Sequence, residues 1–146
     1  MNIVYAESSA VLAWLIGEPG HPDVLETLSN ADHVVASTLT LVECARALAR
    51  ARHMRRLKVT EELAALRLLD EVAASWHVLG ISERVAARAR GAFPHEPVRT
   101  LDALHLATAV VFAETLGSLR VLSLDDRVRN NAIALGLPVV PAASTT

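Results

Sequence analysis

Asn2-Ile3-Val4-Tyr5-Ala6-Glu7-Ser8-Ser9-Ala10 opens the chain and sets the pattern by which the rest is read. Ile3, Val4 and Tyr5 make a short apolar run, the signature of a buried strand. Glu7, Ser8 and Ser9 follow it directly, and from Ala10 to Ile16 the apolar residues take helical spacing. Gly17, Pro19 and Gly20 end that helix.

The same alternation recurs along the chain. Asp23 to Ser29 reads as a short helix, and His33 to Ser37, carrying Val34 and Val35, as the second strand. Helices are expected from Thr38 to about Arg52 and from Thr60 to about Ser75, then a third strand from Trp76 to Ile81. Ser82, with Glu83 in the first turn behind it, starts a helix that ends near Gly91. Phe93 to Arg99, broken by Pro94 and Pro97, is a loop. Leu101 to about Leu116 is a long helix stopped by Gly117. Leu119 to Leu124 is the fourth strand, Asp126 to Leu135 a helix before Gly136, and Val139-Val140 a last short strand. Short apolar strands joined by helices argue for a parallel sheet covered on both faces.

Bulk properties narrow the class. A chain of 146 residues fits one domain, expected over residues 1–141, with the Ala/Ser/Thr stretch 142–146 as a frayed tail. Apolar residues make up 52% and aromatics only 3%, so the core is built from Ala, Val and Leu. The lone cysteine, Cys44, excludes an intrachain disulfide and reads as a small buried residue. Glu7 interrupts what would be the apolar region of a signal peptide, and no apolar run approaches the roughly 20 residues that span a bilayer. The expected location is the cytoplasm. The net charge of −2 gives no support to binding by phosphate neutralisation alone. The basic residues are nonetheless concentrated, with Arg46, Arg50, Arg52, His53, Arg55, Arg56 and Lys58 in one stretch.

Ligands of open parallel sheets gather beyond the carboxyl ends of the strands, and four acids map there. Glu7 follows the first strand, Glu43 lies in the first turns of the helix after the second, and Asp125 follows the fourth. Asp102 begins the long helix before that strand. Carboxylates crowded into one pocket repel, and a hard divalent ion with oxygen ligands relieves the conflict. Such an ion can also hold a phosphate and an attacking water. Each acid has a structural alternative. Glu7 suits a helix dipole, Glu43 completes a Thr40-x-x-Glu43 capping pattern or pairs with Arg46 or Arg50, Asp102 sits where helices favour acids, and Asp125 suits an N-cap. His105, one turn after Asp102, could orient it but reads first as a packed, hydrogen-bonded histidine, and Trp14 and Trp76 as core or interface residues.

Several segments resemble the PIN-domain family, and within it the VapC-type toxins. Val4-Tyr5-Ala6-Glu7-Ser8-Ser9-Ala10 is similar to the family's opening strand and acidic turn, and Glu18-Pro19-Gly20 to a turn common in VapC-type members. Leu41-Val42-Glu43 matches the helical glutamate, and Leu101-Asp102-Ala103-Leu104-His105-Leu106-Ala107-Thr108-Ala109 the third acidic motif. Val121-Leu122-Ser123-Leu124-Asp125 resembles the strand ending in Thr-x-Asp, and Ala134-Leu135-Gly136-Leu137-Pro138-Val139 the closing segment.

The resemblance implies a three-layer α/β sandwich with a parallel sheet of about four to five short strands. It implies a magnesium- or manganese-dependent endoribonuclease, the toxin of a toxin–antitoxin pair. Glu7, Glu43, Asp102 and Asp125 would form its acidic metal site, with Ser9 supporting them and Asp126 as a further carboxylate nearby. Arg46 and Arg50 could hold flanking RNA phosphates, or be a solvated helix end. A small VapB-like antitoxin and a second copy of the chain are the implied partners, with no membrane. Position 7 carries Glu where the family usually has Asp, which leaves a second reading, a PIN-like module that binds RNA or protein with weakened catalysis. A phosphoacceptor receiver domain, another small α/β fold, lacks here its paired acids near strand one and its late lysine.

Overall fold

The computed structural model describes residues 1–142, so most of the expected tail, 143–146, lies outside the described residues. In chain order the elements are β1 (Ile3–Ala6), α1 (Ser8–Ile16), α2 (His21–Asn30), β2 (His33–Ser37), α3 (Thr38–His53) and α4 (Val59–Ala73). They continue with β3 (His77–Leu79), α5 (Glu83–Ala89), α6 (Thr100–Leu116), β4 (Arg120–Leu122), α7 (Asp126–Ala134) and β5 (Val139–Val140). All strand pairs are parallel, in the order β3-β2-β1-β4-β5.

Alternation along β1 assigns the layers. Ile3 and Tyr5 point to one face, where they pack with Leu106, Ala109 and Phe112 of α6 and Val128 and Ala132 of α7. Val4 and Ala6 point to the other, among Ala10 and Val11 of α1, Val24 of α2 and Cys44 of α3. Neighbouring strands keep this register, with Tyr5 beside Val35 and Val121. The result is three layers, α/β/α, and β1 is buried on both sides. Burying a Leu, Val or Phe side chain contributes about 1.5–3 kcal/mol, so a core of small aliphatic residues suffices without many aromatics. Trp14 and Trp76 pack, partly buried, at the edge of the α1-side clusters.

Element ends follow local chemistry. Ser37 caps α3 by accepting from the Leu39 N–H at 3.1 Å, so Thr40 is not the capping residue that its spacing to Glu43 predicts. Ser37 is the last residue of β2 and directly precedes the helix, so its hydroxyl takes that place; Thr40 lies inside the helix and donates to the Ala6 carbonyl at 2.9 Å. Helix α2 starts at His21 rather than Asp23, because Pro22 in a first turn forfeits only a bond that would go unmade. The third strand is shorter than expected: Leu79 pairs with Ser37, where β2 turns into α3, and Gly80 and Ile81 have no strand beside them. Gly117, at φ 85°, closes α6 in the left-handed region open to glycine.

From β1 the chain winds outward through β2 to β3, then returns to β4 and β5 on the other side of β1. The reversal opens a crevice between the carboxyl ends of β1 and β4, where doubly wound sheets bind their ligands.

Candidate functional site

Glu7 leaves β1 at that crevice and is the N-cap of α1. It is 4% exposed, and each of its bonds ties it to the crevice walls. Its Oε1 accepts from the Ser9 N–H at 3.1 Å, while Oε2 accepts from the Ser123 hydroxyl at 2.7 Å and from the Ser9 hydroxyl. The two serines are themselves acceptors: Ser9 Oγ takes the Leu124 N–H at 2.9 Å and Ser123 Oγ the Asp125 N–H at 3.1 Å. Donors from the β4 turn thus point in sequence toward the one carboxylate at the end of β1. Burial raises the Glu7 carboxyl above its ordinary range, against the opposing pull of His105 and the serine donors.

Glu43, in the second turn of α3, reaches the crevice from the β2 side. Its Oε1 accepts from the Ser8 hydroxyl at 2.9 Å and is bonded to His105 Nε2. Partial burial would raise its carboxyl, but the His105 hydrogen bond and charge, with Ser8, outweigh this and hold it below the usual range. His105 is 1% exposed, and its Nδ1 meets the Tyr5 hydroxyl at 2.7 Å. The histidine one turn from Asp102 therefore orients Glu43 by hydrogen bonding, not Asp102 as its spacing suggests.

Asp125 is the N-cap of α7, its Oδ1 accepting from the Arg127 and Val128 N–H groups at 2.9 and 3.2 Å. Its hydrogen bonds among the described residues all fall on Oδ1, as those of Glu43 fall on Oε1. Asp102, in the first turn of α6, is half-buried, and its carboxyl is raised by burial and then by the Asp125 charge, with Glu43 adding to it. Asp126 is exposed at the start of α7 and lines the same opening beside Asp102 and Asp125.

One cleft of about 520 Å³ is lined by Glu7, Glu43, Asp102 and Asp125 together with Arg46 and Arg50 of α3. The basic stretch divides by role. Arg46 and Arg50 border the acids, whereas Arg52 pairs with Glu62 of α4 at 2.8 Å. Cys44, against the same wall, is fully buried, and burial pushes its thiol up to about 12, so it is no nucleophile near neutral pH. Sequence reading passed over Tyr5, Ser8 and Ser123; the only signal for the serines is a small hydroxyl beside each acidic turn.

The donor set is oxygen only, like charges face each other across Asp102 and Asp125, and Glu43 and Asp125 each keep an oxygen clear of their hydrogen bonds. Among the described residues no three His, Cys, Asp or Glu side chains converge into a ready cage for an ion. Magnesium does not need one: it binds through one or two carboxylates and keeps most of its waters. An oxygen-only set of this kind fits a hydrated, hard divalent cation.

The chain matches the family model of the PIN domain over residues 4–134. It is 34% identical over 140 residues to Ribonuclease VapC46 of Mycobacterium tuberculosis, covering 96% of this chain and 98% of that protein. Its fold is similar to that of Mycobacterium tuberculosis VapC20, described as a sarcin–ricin-loop-cleaving toxin, with a TM-score of 0.63, 16% identity, and coverage of 92% of this chain and 95% of that one. A VapBC2 structure from Rickettsia felis, bound to a promoter DNA fragment, is similar at a TM-score of 0.59 and 13% identity, covering 93% and 96%.

Proposed function

The chain belongs to the PIN-domain family, and from that premise we propose that it is a VapC-type toxin, an endoribonuclease that hydrolyses RNA phosphodiester bonds with a divalent metal ion. The observation that supports the reading is the cleft at the β1–β4 crevice, lined by four carboxylates with two arginines beside them.

Asp102 and Asp125 would hold the ion, Mg²⁺ or Mn²⁺, with Glu43 presented to it by Ser8 and His105. When bound, the ion supplies charge neutralisation at the scissile phosphate and a more acidic water. Glu7 accepts from Ser9 and Ser123 and thereby fixes the β4 turn that carries Asp125. Arg46 and Arg50 pair with phosphates flanking the cut, offsetting the repulsion that an acidic cleft exerts on RNA. Water replaces the RNA 3′-oxygen at phosphorus, leaving a 5′-phosphate and a 3′-hydroxyl. One domain over residues 1–141 carries the activity, and the RNA substrate places it in the cytoplasm. A VapB-like antitoxin would silence the chain by covering the cleft, and the toxin acts as a homodimer; both readings draw on family likeness, the first with support from the VapBC2 complex. No helix among the described residues is long and apolar enough to cross a membrane.

The test is cleavage of single-stranded RNA in Mg²⁺, Mn²⁺ or EDTA by the native chain and by Asp102→Asn. Metal-dependent cleavage lost in EDTA and reduced at least a hundredfold in the variant is expected, the scale on which removing a group that stabilises developing charge acts. Equal trace activity in both proteins overturns the proposal.

A further inference from the structure

A second cavity, of about 640 Å³, lies between the loop before α6 and the exposed side of α7. Arg127 lines both this cavity and the opening that holds Asp102 and Asp125. We propose that the cavity receives one unpaired nucleobase of the RNA strand whose neighbouring phosphate lies at the acids. The inference rests on the ribonuclease reading above and adds to it a base-binding subsite.

The cavity is built, not incidental. Asn131 is 2% exposed and clamps its two walls together. Its Oδ1 accepts from the His95 N–H at 2.9 Å, and its Nδ2 donates to the carbonyls of His95 and Arg127, each at 3.1 Å. The loop and the start of α7 are therefore fixed before a ligand arrives, which lowers the ordering cost of binding.

The lining matches a base better than a phosphate. The His95 ring offers a stacking surface, and Ile133, 58% exposed, an apolar one. Asn130 is exposed and brings an amide donor and acceptor, the complement of a base edge. Glu96 on the rim repels a phosphate but can accept from an exocyclic amino group. Arg127, at the junction with the acid cleft, is the cation on the route the backbone would take. Arg46 and Arg50 border the acids from α3, so a strand crossing the cleft finds cations before and after the cut.

The experiment uses the native chain and the double variant His95→Ala/Asn130→Ala. Both substituted side chains are exposed, and the backbone clamp on residue 95 survives the change. RNAs lacking one base at a time are cleaved in Mg²⁺. One position near the cut is expected to lower kcat/KM about tenfold for the native chain, the usual worth of a stacked base, and to leave the double variant indifferent. In parallel, RNA with a photoreactive base is crosslinked to the native chain in EDTA, and peptides covering residues 95–97 or 127–133 are expected to carry the adduct. An abasic effect of equal size in native and variant chains overturns the subsite, as do crosslinks confined to other segments. A native chain that crosslinks at the cavity but does not cleave RNA overturns the ribonuclease reading while leaving the base site standing.

Discussion

The Tyr5 hydroxyl and Nδ1 of His105 meet at 2.7 Å in the core, while Nε2 on the far side of the same ring is bonded to the Glu43 carboxylate. A carboxylate only accepts, so Nε2 carries a proton toward Glu43, and the Tyr5 hydroxyl holds the other nitrogen of the ring. Burial raises the Tyr5 hydroxyl well above its ordinary range, which keeps it protonated and able to donate. The central strand thus sets the ring, and the ring sets Glu43.

Tyr5→Phe removes the hydroxyl and leaves Nδ1 buried without that partner. The expected cost is about 1–3 kcal/mol in urea unfolding, with a fall in cleavage well short of that in Asp102→Asn. Unchanged stability would show that the ring is held by other contacts.

Ser123→Ala takes one donor from the buried Glu7 carboxylate. Because burial lifts the Glu7 carboxyl, its ionisation weighs against the fold: the stability its neutral form contributes is present in full below the ordinary carboxylate range and lost as pH rises through the raised value. Above that transition the charge is present and depends on its donors, so the variant should there lose about 1.5–3 kcal/mol. The loss should shrink on acidification, as Glu7 takes up a proton; chemical denaturation on both sides of that transition reads it. A loss independent of pH would mean that Glu7 is not the group that needs Ser123.

Asp125 caps α7 and is proposed to hold the ion, and substitution can separate the two roles. Asp125→Ala loses the cap of α7 and should cost about 1 kcal/mol, whereas Asp125→Ser keeps a capping oxygen and should recover most of it. Neither should cleave RNA. Thermal melts beside an activity assay check both halves, and an active Asp125→Ser would remove this carboxylate from the ion site.

Burial first, and the Asp125 charge second, raise the Asp102 carboxyl, so protons compete for it above the ordinary carboxylate range. Mn²⁺ affinity, read by calorimetry, should weaken as the solution is acidified, starting before ordinary carboxylates titrate. Asp102→Asn should bind the ion weakly, with most of that pH dependence gone. An affinity flat down to the ordinary range would count against Asp102 as a ligand.

Much of the fold was legible because each strand here is a compact apolar burst and each helix has its own start or stop. The reading through Glu7, Ser82, Gly117 and Val139 shows this, since none of those signals depends on distant contacts. What failed was tertiary. Thr40 has the spacing of a cap but spends its hydroxyl on the Ala6 carbonyl of a neighbouring strand, and Trp76 to Ile81 runs longer than the partner strand it pairs with. The acids at the strand ends could be placed by topology alone. Their division of labour could not, because it depends on which hydroxyl lies within reach: Glu7 is taken up by Ser9 and Ser123, Glu43 by Ser8 and His105. Asn131, the clamp of the second cavity, carried no signal in the sequence.

Beyond the pairing of β1 with β4, the seam where the two halves of the sheet meet is fastened at its carboxyl end by the Glu7 side chain, which is also a wall of the cleft. Mild chaotropes that loosen the fastening would disarm the molecule while its helices still stand, so loss of toxicity should run ahead of any change in far-ultraviolet circular dichroism.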